Sequence, residues 1–176
     1  MHPFYLKGNE TIRLRFQTNG MILEGEQTPE NQALSQWEQA ATLVREHAFL
    51  YERFGGGYST DPATFTQELE DLLRVRQQLK PEKATGNATF NSLLKAKMEA
   101  DVDFYALAYL QRNAGNLSDT IRLSNYYQKM QPEKTLQQPA LLQLPYAGEM
   151  LRTYVWYKYG DPIELREAFK YKSTCL

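Results

Sequence analysis

A chain of 176 residues is the size of one domain, long enough to bury a real hydrophobic core. Its 20 lysines and arginines stand against 21 acidic residues, and that balance gives no electrostatic basis for binding nucleic acid or an anionic membrane. No apolar run reaches the about 18 residues that a membrane-spanning helix needs, and Cys175, the single cysteine, has no internal disulfide partner and fits no metal spacing.

Residues 1–7 contain no basic stretch followed by an apolar run, so no export signal is expected. Phe4-Tyr5-Leu6-Lys7 reads as a first strand and Gly8-Asn9-Glu10 as a turn. A second strand follows over residues 11–16, where Ile12, Leu14 and Phe16 alternate with Thr11, Arg13 and Arg15. Asn19-Gly20 readily supplies positive φ for a turn, and Met21-Ile22-Leu23-Glu24-Gly25 is a third short strand. Three such strands are too few for a sheet with its own core, so they must lie on helices or on strands outside this chain.

Helix signals begin at Thr28-Pro29-Glu30-Asn31, with a cap, a first-position proline and an acid near the positive end of the dipole. Leu34, Trp37, Ala41, Val44, Ala48 and Tyr51 then form one stripe, and Gly55-Gly56-Gly57 ends the helix. The three glycines lack the Gly-Lys-Ser/Thr of a phosphate loop and read as a linker. Ser59-Thr60-Asp61-Pro62 opens a second helix burying Phe65, Leu69, Leu72, Leu73 and Leu79, and Lys80-Pro81 stops it. Asn87 or Thr89 starts a third, with Phe90, Leu94, Met98, Val102, Tyr105 and Tyr109 inward, closed by Asn113-Ala114-Gly115-Asn116. Ser118-Asp119 caps a fourth, carrying Ile121, Leu123, Tyr126 and Tyr127, which ends by Pro132. A segment over 136–144 leads to Pro145, and residues 146–159 form a helix with Met150, Leu151, Tyr154 and Val155 as its inner side. Gly160-Asp161-Pro162 breaks it, and Ile163, Leu165, Phe169 and Tyr171 mark a last short helix. The expected fold is mainly α: a bundle of five to seven helices over 27–176 as one unit, behind a small antiparallel β element over 1–26.

Catalytic signatures are missing from this pattern. Of the two histidines, His2 and His47, the latter lies beside the apolar stripe and reads as structural or surface. Glu99, Asp101 and Asp103 sit mid-helix, but only Glu99 and Asp103 share a face, and without a histidine they make a poor transition-metal site. Glu68, Glu70 and Asp71 read as a solvated face, and Cys175 as an ordinary tail thiol. No Gly-x-Ser-x-Gly, His-Glu-x-x-His or Cys-x-x-Cys occurs, so no enzyme activity, cofactor or metal is expected. The aromatic surplus of residues 154–159 is the richer signal. Trp156, Tyr157 and Tyr159 cannot all face one core with Tyr154, and they form a candidate interface for a protein partner or a second copy. The competing reading packs these rings on two sides of the helix, with hydroxyls reaching water.

Four stretches, "FYLKGNETIRLRF", "MILEGEQTPENQALSQWE", "FTQELEDLLRVRQQL" and "LPYAGEMLRTYVWY", resemble in that order the N-terminal half of TlpA-like envelope thiol–disulfide oxidoreductases of Bacteroidetes. The resemblance spans 4–159 and implies a β domain handing over to a helical domain, in a periplasmic or envelope setting. Gly8-Asn9-Glu10-Thr11, Leu23-Glu24-Gly25 and Asn31 carry the handover, and Leu144-Pro145-Tyr146 the approach to a redox domain. The sequence departs from the pattern where the chemistry would be: no Trp-Cys-x-x-Cys occurs, and no redox residue carries over. The resemblance therefore implies a non-catalytic helical module that positions a redox domain or mediates protein contacts. The alternative is an independent ligand-binding protein or enzyme with a site among the Tyr-rich helices.

Overall fold

Cap chemistry sets where the long helices begin. Thr28 stands before Pro29, and its hydroxyl accepts the Asn31 N–H at 3.3 Å to open α1 (Pro29–Ala48). Asp61 stands before Pro62 and accepts the Thr64 N–H at 3.0 Å to open α2 (Pro62–Gln78). Asn87 accepts the Phe90 N–H at 3.0 Å to open α3 (Ala88–Arg112), so of the two expected starts the structure uses Asn87. Two short pieces follow, α4 (Pro132–Leu136) and a 3₁₀ turn (Pro139–Gln143), and then α5 (Ala147–Tyr159). Gly160 ends α5 at φ 86°, in the left-handed region that favours glycine.

This computed structural model describes residues 4–6, 13–17, 20–24, 28–49, 60–80, 85–113, 127 and 130–160. Several expectations lie outside them: the Gly8-Asn9-Glu10 turn, the Gly55-Gly56-Gly57 linker, most of the fourth helix and the short helix over 163–171. His2 and Cys175 also lie outside. Within them the protein is mainly helical. Ahead of α1, the segments β1 (Arg13–Gln17) and β2 (Gly20–Glu24) pair antiparallel, Arg13 opposite Glu24 and Gln17 opposite Gly20. Residues 4–6 are not a strand, contrary to the sequence expectation. Tyr5 is bonded instead to a side chain of α1: its N–H donates to Asn31 Oδ1 at 2.8 Å, and its carbonyl accepts from Asn31 Nδ2 at 2.9 Å. The Asn31 amide thus gives Tyr5 the donor and acceptor that a neighbouring strand would have supplied.

α3 is the axis of the bundle. It touches α1, α2, α4, the 3₁₀ turn and α5, and every residue from 100 to 110 is buried. A helix enclosed by neighbours must be apolar all round, and the run "ADVDFYALAYL" is, apart from two aspartates. Trp37, Ala41 and Val44 of α1 and Phe65, Leu69 and Leu72 of α2 are buried as their spacing predicts, and Leu73 and Leu79 pack partly buried against them. Phe65 stacks on Tyr109 with ring centroids 3.9 Å apart, and the Tyr109 hydroxyl donates to the Thr60 carbonyl at 2.6 Å.

The inner side of α5 differs from expectation. Met150, Thr153 and Tyr154 are buried, at spacings of three and one, whereas Leu151 is 51% exposed and Val155 half-buried. At about 100° per residue Thr153 and Tyr154 fall on either side of Met150, at about −60° and about +40°, whereas Leu151 at about 100° lies beyond the face they share.

Candidate functional site

The same spacing that builds the core also opens a cleft beside it. On α1, Leu34, Glu38 and Arg45 follow one another at four and seven residues and line up along one face. On α3, Phe90, Leu94, Lys97 and Phe104 do the same at spacings of four, three and seven. These two faces, the segment Gln143-Leu144-Pro145-Tyr146, Phe49, and Phe4 with Tyr5 wall a cleft of about 400 Å³. That is within the range of small-molecule sites, roughly 300–1,000 Å³.

Its walls are largely aromatic. Phe104 stacks parallel to Tyr146 at 5.3 Å between centroids, and Phe49 meets Phe104 edge-on at 5.3 Å. At the other end Tyr5 meets Phe90 edge-on at 4.9 Å. The Tyr5 hydroxyl accepts from Asn87 Nδ2 at 3.4 Å, and the same nitrogen donates to the buried Glu30 at 3.2 Å. Residues 4–6 are therefore strapped across one end of the cleft by Asn31 and Asn87.

Beneath the walls lies a cluster of ionised groups. Asp101 has no solvent access, and it accepts from Trp37 Nε1 at 2.7 Å, from Lys97 Nζ at 2.8 Å and from the Tyr146 hydroxyl. Lys97 also pairs with Glu38 at 2.9 Å, and Glu38 with Arg45 at 2.7 Å. Two carboxylates and two cations thus neutralise one another, which is the condition for tolerating charge in a core. Burial alone would raise the Glu38 pKa, but Lys97 and Arg45 outweigh it and hold the carboxyl below its usual value. Burial would likewise lower Lys97, yet Asp101 and Glu38 hold it above, and Arg45 is held above by Glu38 and Tyr105 against the same penalty. Burial, reinforced by the Asp101 charge, pushes the Tyr105 and Tyr146 hydroxyls well up.

The residues singled out from the sequence are scattered relative to this cleft. His47 Nδ1 lies 2.7 Å from Glu68 Oε2 and ties α1 to α2, a structural role that also draws Glu68 out of the solvated face assigned to it. Glu99 accepts from Gln138 Nε2 and Asp103 from Thr135 Oγ1, both at 2.5 Å, so these acids fasten the 132–138 segment to α3. Among the described residues no three His, Cys, Asp or Glu side chains are grouped to hold a metal ion. Trp156 is half-buried, and Tyr157 and Tyr159 are exposed, outside the cleft lining. The sequence pattern assigned no role to Glu38, Arg45 or Lys97, placed Tyr146 only in the approach to a redox domain, and set Asp101 aside. A signal for Asp101 existed: a carboxylate at the start of the otherwise apolar run 100–110, four residues after Lys97, needs a donor if that run is enclosed.

No family model, curated protein or solved structure matches this chain. The functional reading rests on the cleft and the cluster beneath it.

Proposed function

We propose that this chain is a non-catalytic binding module whose working site is the aromatic cleft between α1, α3 and residues 143–146. One observation carries the reading: an apolar-walled space of about 400 Å³ over ionised groups that satisfy one another. A general acid or base works best with a pKa near the operating pH. Here Glu38 is held down, Lys97 and Arg45 are held up, and Tyr105 and Tyr146 are pushed up, all away from neutrality. The cluster therefore fixes the floor of the cleft, while the aromatic walls supply the apolar surface that binding removes from water. A neutral, polarity-sensitive dye tests this. The wild type should take it up saturably at one site, and Gln143→Trp, on the exposed rim, should reduce the uptake without changing the fold. Unsaturable uptake, or uptake unchanged in Gln143→Trp, would contradict the proposal.

A second reading is the helical module of an envelope redoxin that the sequence resemblance implies, with β1 and β2 handing the chain over to α1. It is favoured by the last turn of α5, where Tyr157 and Tyr159 are exposed, tyrosine being enriched in contact centres.

A further inference from the structure

The ionised groups under the cleft are sorted by depth. Arg45 keeps 30% of its side-chain surface accessible and Lys97 keeps 12%, whereas Glu38 keeps 6% and Asp101 none. The cluster is neutral in sum; Glu38 lines the cleft with both cations but is less accessible than either, and Asp101 lies outside the lining. Any group entering the cleft therefore meets positive potential first, in surroundings where apolar walls strengthen the field. Arg45 also has the geometry for an incoming acid. A guanidinium has five N–H donors in a planar fork; those of Arg45 serve Glu38 at 2.7 Å, Thr42 Oγ1 at 3.5 Å and Tyr105, which leaves part of that capacity for a group in the cleft that it lines. Lys97 is committed to Glu38 and Asp101 and lies against the Tyr146 ring at 5.5 Å, so it supplies charge rather than a docking point.

We infer that the cleft takes a small apolar molecule carrying a single carboxylate, its body among the aromatic walls and its head on Arg45. The inference rests on the binding-module reading and adds the ligand class. A cationic head would meet Arg45 and Lys97 beside a Glu38 carboxylate already paired with both, and a neutral head would gain no charge-assisted bond.

Calorimetric titration of the wild type at neutral pH with decanoate, 1-decanol and decylamine, which share one apolar chain, tests the two ideas separately. Decanoate is expected to bind at least about tenfold more tightly than decanol, as one charge-assisted hydrogen bond allows, and decylamine most weakly. Within Arg45→Met, decanoate and decanol should bind with equal affinity, the preference for decanoate being lost, while Arg45→Lys should keep part of it. Equal affinities for decanoate and decanol, or tightest binding of decylamine, would overturn the carboxylate inference and leave the binding module standing. Binding of none of the three would overturn both.

Discussion

A carboxylate enclosed by an apolar helix must be matched by donors, and Asp101 has three, from Trp37, Lys97 and Tyr146. The consequence of removing either side differs in size. Asp101→Ala leaves the Trp37 N–H and the Tyr146 hydroxyl without this acceptor and takes one counter-charge from Lys97, at a cost of about 3–5 kcal/mol. Tyr146→Phe removes one donor of three and should cost about 2 kcal/mol. Urea unfolding of the two variants checks the order, and equal losses would contradict the role assigned to Asp101. The cluster also dictates a pH profile. Glu38 titrates below its ordinary 4.5, so its stabilising contribution is fully present above that value and is lost as pH falls through the lower, folded-state range. Lys97 titrates above 10.5, so its contribution is present below that value and is lost as pH rises past it. Melting temperatures taken below about pH 5 should fall more steeply for the wild type than for Glu38→Gln. Parallel curves would show that Glu38 gains nothing from its cations.

At the scale of elements, the helix starts make a graded comparison. Asp61 is an exposed cap that serves only α2, and Asp61→Ala should cost about 1 kcal/mol. Asn87 caps α3 and in addition donates to the buried Glu30 and to the Tyr5 hydroxyl, so Asn87→Ala should cost about 2–3 kcal/mol. Thermal melting that ranks the two the other way would count against the strap over residues 4–6. Both caps were legible in the sequence, as were the stripes of α1, α2 and the first half of α3, because cap chemistry and 3.6-residue periodicity are local. What periodicity could not give is phase where nearly every residue is apolar. In α5 that ambiguity placed Leu151 inside, and only the contact with α3 selects Met150, Thr153 and Tyr154. The cleft was illegible for a related reason. Glu38 and Arg45 lie one residue past members of the α1 stripe, which reads as its solvated edge until α3 brings Lys97 against them. Tyr5 was misread because its partner, the Asn31 side chain, is remote in sequence and leaves no periodic trace.

For the whole molecule, the two functional readings use different surfaces, and α5 separates them. Tyr154 is buried, with its hydroxyl on Glu133 at 2.9 Å, so Tyr154→Ala should cost about 2–4 kcal/mol. Tyr157 is exposed, and Tyr157→Ala should change stability by no more than about 0.5 kcal/mol. If the exposed last turn of α5 joins two copies, sedimentation will show the wild type heavier than Tyr157→Ala. Equal masses would remove self-association from that face. If the aromatic cleft is where this protein binds, two-dimensional NMR of the chain titrated with 1-decanol will locate the ligand there. Saturable shift changes are expected on Leu93, Leu94, Phe104, Gln143 and Tyr146, with Tyr157 and Tyr159 unmoved. Shift changes centred on Tyr157 and Tyr159, or none at saturation of the solvent, would contradict binding in the cleft.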